Sequence, residues 1–392
     1  MSFRKTGKAS LLMAAALFYA MPPMAAGDDG DDASLRQRLD ILEQRLEATA
    51  EMLEDQSRKE GHGTGGRTTL GGYGELHYRR LANQRQGGDD LEEMDLHRFI
   101  LFLGHEFDDR IRFFSELEVE HALAGAGANG EVAMEQAYLE FDVHPGHVLR
   151  AGLLLIPAGI INETHEPPTF YGVERNPVET RIIPSTWREG GVALSGEPGS
   201  GWRYDLAVHS GLALASGDDY AIRKGRQDGG NARADDLAYT GRIQWLGLAG
   251  LELAATILYQ ADASQGEDPS VGDALMVEAH GSWRHGGLGL RALYARWRID
   301  GDGPEKLGAD RQDGWYVEPS YRFTSRAGVF LRYSVWDNQA GGGGGSEYGQ
   351  IDAGVNYWPH PDVVVKVDYQ DQDAPAGQDE FDGFNVGVGY QF

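Results

Sequence analysis

The chain has 392 residues, 55 of them glycine and none cysteine, with 61 acidic against 35 basic side chains and a formal charge of -26 at pH 7. The lack of cysteine excludes disulfides, thiolate metal centres and thiol nucleophiles. With only six lysines, the charge balance also argues against nucleic acid as a partner, because neutralising phosphates takes clustered Lys and Arg.

No apolar run reaches the roughly 18 residues that a transmembrane helix needs. The longest, Ala9 to Ala20, follows Arg4, Lys5 and Lys8 and leads to small residues at Ala25, Ala26 and Gly27. A basic start, a short apolar core and a small-residue end predict a secretory signal peptide over 1–26, and hence an exported protein. The alternative is a retained hydrophobic anchor, for which the apolar core is short.

An acidic patch (Asp28, Asp29, Asp31, Asp32) precedes leucines at 35, 39, 42, 46 and 53, with Thr49 in the remaining slot. That 4-3-4-3-4 spacing is a heptad seam, and about three heptads are too short to be stable alone. A short coiled-coil stalk that drives association is one reading, and an amphipathic helix packed on its own domain is the other. Gly61, Gly63, Gly65 and Gly66 form a linker, so 27–66 is expected to be a periplasmic acidic and coiled-coil segment ahead of a different domain over 67–392.

From Arg67 onward the dominant signal is two-residue alternation. Ile111, Phe113, Leu117 and Val119 oppose Arg112, Glu116, Glu118 and Glu120; Ala137, Leu139, Phe141 and Val143 oppose Gln136, Glu140 and Asp142. Such segments are half-buried strands. Sixteen can be drawn, at 67–79, 94–107, 110–121, 131–143, 147–156, 188–197, 201–212, 234–247, 250–262, 271–285, 287–300, 311–323, 327–337, 347–358, 361–371 and 381–392. Tight connections such as Asp108-Asp109 and His144-Pro145-Gly146 alternate with long ones at 80–93, 213–233, 301–310 and Gly341 to Gly345.

Short turns at one rim, long loops at the other and an even number of strands describe an all-β transmembrane barrel of about 16 antiparallel strands. Backbone polar groups cannot stay unpaired in hydrocarbon, so the sheet must close with its oily face outward and its charged face toward a water-filled lumen. Tyr73, Tyr78, Trp202, Trp245, Trp315, Tyr357, Trp358 and Tyr369 are candidate members of interfacial aromatic girdles. The last strand, with Phe384, Val386, Val388, Tyr390 and Phe392 on one face, resembles the signal that the outer-membrane barrel assembly machinery recognises, which makes that machinery an expected partner alongside outer-membrane lipid.

The longest stretch without alternation, Pro157 to Trp187, holds five prolines and the charged residues Glu163, His165, Glu166, Glu174, Arg175, Glu179 and Arg181. Loops this long inside a compact fold are usually functional. Folded inward, it would narrow the pore and set a local field; the other placement is an extracellular cap. His165-Glu166 lacks the second His of a metalloprotease motif, since Thr169 stands four residues on, so no metal site and no cofactor is predicted.

The block Gly152 to Gly191, GLLLIPAGIINETHEPPTFYGVERNPVETRIIPSTWREGG, resembles the phosphate-selective porin O and P family of Gram-negative outer membranes. The resemblance covers the barrel from about Arg67 to Phe392. It implies a sixteen-stranded homotrimeric channel with inward-folded loops and arginines that bind phosphate.

Alternation turns Arg112, Arg150, Arg203, Arg242, Arg284, Arg322, Arg332 and Lys366 inward, and guanidinium forks suit bidentate oxyanion contacts. It also turns Glu75, Glu106, Glu116, Glu118, Glu120, Glu140, Asp205, Glu252, Glu278, Glu318 and Asp368 inward, the mixed-charge wall of a general porin. The expected function is passive diffusion of small hydrophilic solutes across the outer membrane, with phosphate or other anions as candidates. The alternatives are a non-conducting structural or adhesive barrel, and a barrel enzyme. No nucleophile-elbow or paired catalytic motif supports the enzyme.

Overall fold

The computed structural model describes residues 67–125, 127 and 130–392. The expected signal peptide over 1–26 and the heptad segment within 27–66 lie outside the described residues.

Among the described residues, sixteen strands follow in chain order. The first eight are β1 (Arg67–Asn83), β2 (Leu91–Glu106), β3 (Ile111–Glu120), β4 (Val132–His144), β5 (His147–Leu155), β6 (Arg188–Gly199), β7 (Trp202–His209) and β8 (Ala238–Leu248). The rest are β9 (Leu251–Gln260), β10 (Ala274–His285), β11 (Leu288–Ile299), β12 (Arg311–Thr324), β13 (Ala327–Asp337), β14 (Tyr348–His360), β15 (Val363–Asp373) and β16 (Phe381–Gln391). Each pairs antiparallel with its chain neighbours, and β16 closes onto β1 from Tyr73↔Gln391 to Asn83↔Phe381. Closure leaves no unpaired edge.

The final residue takes part in that seam. Gly72 N–H donates to the Phe392 carbonyl at 3.0 Å, and Phe392 N–H donates to the Gly72 carbonyl at 2.9 Å. A Cβ at residue 72 would stand 2.3 Å from the Ile100 carbonyl oxygen and 3.1 Å from the Phe392 ring, so the close approach requires glycine there.

Alternation sorts the side chains inside out. Leu206, Ile243, Ile257, Val317, Val355 and Phe384 are exposed on the outer face, while Arg242, Glu278, Glu318, Arg332, Asp352 and Asp368 are buried on the inner one. A soluble domain would bury the first set. An apolar exterior around a closed barrel is what hydrocarbon would cover.

Two of the expected girdle aromatics are misplaced. Tyr73 and Trp358 are buried on the inner face, because each follows the parity of its inward neighbours, Glu75 and Asn356, rather than that of the outer belt. Trp202 and Trp245 stand opposite one another on the outside of β7 and β8.

The seven turns at one rim are two to four residues long, and the loops at the other are longer, led by 156–187 and 210–237. Strands β1 and β2 run further than the alternation indicates, through Arg79↔Glu93, Arg80↔Glu92 and Leu81↔Leu91. Opposite charges on facing strands support that extension.

The lumen is not polar throughout. On β8 to β13, toward the long-loop rim, the inward residues Ala238, Leu258, Met276, Leu293, Trp297 and Tyr316 pack with Ile156, Val178, Ile182, Trp187, Leu212 and Ile222 of the two long loops. This dry core inside the barrel corrects the expectation of a charged inner face all round. Each fully buried aliphatic side chain contributes about 1.5–3 kcal/mol, which offsets the entropy of ordering such long loops.

Candidate functional site

The 156–187 loop lies against the inner wall. Its α-helical turn, α1 (Val178–Arg181), follows Pro177 and is stapled to the dry core. Trp297 Nε1 donates to the Ile182 carbonyl at 2.9 Å, and the Tyr316 hydroxyl donates to Glu179 at 2.7 Å. Glu179 also accepts the backbone N–H groups of Ile160 and Ile161, both by the same oxygen, so one carboxylate gathers both arms of the loop.

Residues 169–173 are held by β11 and β15. Arg291 donates to the Thr169 carbonyl at 2.9 Å, Lys366 Nζ to the Gly172 carbonyl at 2.7 Å, and the Val173 N–H donates to Asp368 at 2.6 Å. On β16 the inner face is nearly bare: a Cβ at residue 387 would meet Val173 at 3.0 Å, and one at residue 389 would meet Pro167 at 2.3 Å. Gly387 and Gly389 therefore form a slot in which the loop seats.

A third set of contacts reaches β3 and β4. His165 Nε2 lies 3.2 Å from Glu116 and 3.6 Å from Glu135, all three buried. Burial opposes a charge on His165, but the hydrogen bonds to Glu116 and Glu135 outweigh it and raise its pKa to about 10. Glu163 pairs with Arg242 of β8. The loop thus touches β3, β4, β8, β11, β12, β15 and β16, and spans the lumen.

The predicted cations do not form a ring of anion-binding arginines. Arg112 is paired with Glu140 and Asp142 at 2.8 and 2.5 Å, Arg150 with Glu140 at 2.7 Å, and Arg203 with Glu197 at 2.7 Å near a short turn. Arg242 also meets Asp205 at 2.7 Å, and Arg332 sits between Glu318 and Asp352 at 3.3 and 3.0 Å. Lys366 lies 3.6 Å above the Phe170 ring.

Arg284 and Arg322 occupy a different setting, on β10 and β12 near the short-turn rim. In register, Arg284 faces Gly289, Gly289 faces Ser320, and Arg291 stands two residues along β11. The three arginines share one inward patch, with Arg322 over the Trp358 ring at 3.9 Å.

Of the remaining loop residues, Glu174 meets His77 at 2.9 Å, and Arg175 donates to the Thr186 hydroxyl at 2.9 Å. Glu166 supplies its carbonyl to Thr169, and Arg181 supplies its carbonyl to Asn338; neither residue joins the clusters described above through its side chain.

Sequence alternation missed Arg98, Glu135, Arg188 and Arg291. Arg98 lies 2.8 Å from Glu75 and 3.3 Å from Glu118, and Arg188 lies 3.5 Å from Glu135. The register slips between Glu75 and Leu76, and again between Glu116 and Leu117. Such bulges place two residues of one strand opposite one of the next, which brings His97 with Arg98, and Glu135 with Gln136, toward the lumen. A strict period of two could not find His97 or Glu135, whereas Arg98 and Arg291 keep the parity of the buried Ile100 and Leu293.

No family model matches the chain. In fold, the barrel is similar to the outer-membrane channel DcaP of Acinetobacter baumannii (15% identity, 84% of this chain and 99% of that one, TM-score 0.57). It is similar also to OmpF of Salmonella typhi, solved in complex with daunomycin (16% identity, 85% and 99%, TM-score 0.56), and to in-vitro folded OmpT of Vibrio cholerae in its trimer form (11% identity, 84% and 100%, TM-score 0.55). An uncharacterized protein of Aquifex aeolicus (strain VF5) is 32% identical over 357 residues, covering 83% of this chain and 80% of its own. With that identity and coverage, the chain belongs to the same family as the Aquifex aeolicus protein.

Proposed function

We propose that the chain is an outer-membrane porin, a channel through which small hydrophilic solutes diffuse past the 156–187 loop. The observation that carries this reading is the inside-out barrel, closed from β1 to β16 with an apolar exterior and ionised inner wall. A wall of that kind needs lipid outside and water or counter-charges inside. The likeness in fold to DcaP and OmpF supports it. No catalytic role is proposed.

Selectivity follows from which charges the walls bring together. Strands β3 and β11 are eight apart in a ring of sixteen, so the carboxylates Glu75, Glu116, Glu118 and Glu135 stand across the barrel from Arg284, Arg291 and Arg322. A preference for phosphate or other anions would draw on the grouping of Arg284, Arg291 and Arg322 on adjacent strands.

Assembly as a homotrimer, a periplasmic N-terminal segment and delivery through the strand ending at Phe392 belong to the same reading. The trimer form of the Vibrio cholerae neighbour supports the first of these.

The test is single-channel recording of the purified protein in a planar bilayer, with reversal potentials under a salt gradient and phosphate as competitor. Conductance steps are expected. Phosphate block that disappears in Arg291→Gln would establish anion binding; steps indifferent to phosphate would make it a general porin. A protein that folds and inserts but never conducts would sink the channel and leave an adhesive barrel.

A further inference from the structure

A group of histidines lies on the long-loop half of β1 to β3 and takes no part in the channel reading. His77 and His97 stack with ring centroids 4.7 Å apart, and His121, in the loop after β3, meets His97 edge-on at 5.8 Å. Asp95 places one oxygen, Oδ2, 3.2 Å from His97 Nδ1 and 2.8 Å from His121 Nδ1. Behind them, Glu174 of the crossing loop reaches His77 Nδ1 at 2.9 Å.

From this geometry we infer that Asp95, His97 and His121 form a binding site for a divalent transition-metal ion of borderline softness, such as Zn2+, Ni2+ or Co2+. One potential ligand atom from each lies within 4.8 Å of the other two, and the same holds for His77, His97 and Glu174. Four-coordinate zinc has ligand bonds of about 2.0–2.2 Å, so neighbouring ligand atoms stand about 3.3–3.6 Å apart. The His97–Asp95 contact at 3.2 Å lies near that separation, and the His121–Asp95 hydrogen bond at 2.8 Å would open by about half an ångström on binding.

Donor chemistry favours such a metal over calcium or magnesium. Imidazole nitrogens with one carboxylate suit zinc, nickel and cobalt, whereas the hard cations take oxygen ligands almost alone.

The surrounding field is that of a cation site. Glu75, Glu93 and Glu174 join Asp95 here against Arg79 and Arg98, both of which are already paired with carboxylates. Access is open, since the side chains of Asp95, His97 and His121 retain 20%, 23% and 37% of their exposure while His77 retains 5%. The ligands come from a strand and a distant loop, and a register slip brings His97 inward, which is why no spacing motif announces them.

His97 is common to both groups, and the second includes Glu174. A metal at Asp95, His97 and His121 therefore tightens the wall against which the crossing loop rests. Binding does not depend on conduction, so the site stands or falls separately from the channel.

The test uses the tag-free, full-length protein folded in detergent, stripped with chelator and titrated with Zn2+ by calorimetry, with Co2+ visible absorption as the second probe. One Zn2+ per chain is expected, with imidazole-bound Co2+ absorption bands. His97→Ala, His121→Ala and Asp95→Asn should each weaken binding at least tenfold, whereas His144→Ala and His360→Ala, at the short-turn rim, should leave it unchanged. Folding of each variant is checked by the β-sheet circular dichroism signal. Wild-type protein that binds no stoichiometric Zn2+, or folded His97→Ala and His121→Ala variants that bind as wild type does, would overturn the site. Asp95→Asn, which keeps the shape and removes the charge, guards against losses due to misfolding.

Discussion

The two sides of the barrel interior are built on opposite principles. On β1 to β4 the inner face is a mesh of ion pairs, with Arg98 between Glu75 and Glu118, and His165 between Glu116 and Glu135. On β8 to β13, toward the long loops, it is a dry core of Leu258, Met276, Leu293 and Trp297 closed by Val178, Ile182 and Trp187. The outer faces of both sides are alike, because a bilayer is the same all round. The inner faces differ because each answers to whatever segment lies against it, and the crossing loop presents its apolar turn to one side and His165 to the other.

The largest change should come from breaking the dry side. Trp297→Ala removes a fully buried indole and its bond to the Ile182 carbonyl, at an expected cost of about 3–5 kcal/mol. It should free the loop from that wall, seen as a lower unfolding temperature of the heat-modifiable band and as larger, noisier conductance steps. A stable variant with unchanged steps would mean that the loop is held elsewhere.

Next is the ionised side. Arg98→Met strands two buried carboxylates, and removing one partner of a buried pair costs about 3 kcal/mol. Adding Glu118→Gln should return part of that loss in a double-mutant cycle on unfolding midpoints. Additive losses would show that the mesh is not coupled.

A smaller effect is set by pH. His165 is raised from the ordinary 6.5 to about 10, so its anchor to Glu116 and Glu135 contributes fully below about pH 6.5 and is lost as pH climbs toward about 10. Conductance noise from the loop should therefore grow between about pH 7 and about pH 10 in the wild type. In His165→Gln the noise should be present throughout and flat, and a wild-type-like pH profile in that variant would remove His165 from the anchor.

The smallest is a control at the rim. Arg203 and Glu197 pair at 2.7 Å with more than half of each side chain exposed, and Arg203→Ala should shift the unfolding midpoint by no more than about 1 kcal/mol. A larger shift would mean that the rim shares the cooperativity of the ionised wall.

How much of this was legible in the sequence differs by level. All sixteen strands were, with most boundaries within a few residues, because half-buried strands alternate and Val363 to Tyr369 or Phe384 to Phe392 can be read no other way. The crossing loop stood out by its length and prolines. What its charges touch was not legible: His165 meets Glu116 across 49 residues, and Glu163 meets Arg242 across 79. The eight inward cations were listed from parity alone, which assigns a face but neither a partner nor a depth, so a set expected to bind anions turned out to be mostly neutralised.

The sequence by itself determined the number of strands, the sorting of side chains between lipid and lumen, and the separation of short turns from long loops. These depend on a local period of two and on turn residues, both written in consecutive positions. Tertiary structure alone decided where bulges admit His97 and Glu135 to the inner face, which half of the lumen is dry, and which arginines keep company with one another. Those outcomes depend on register between strands and on the path of a loop across the barrel, and neither leaves a periodic mark in the chain.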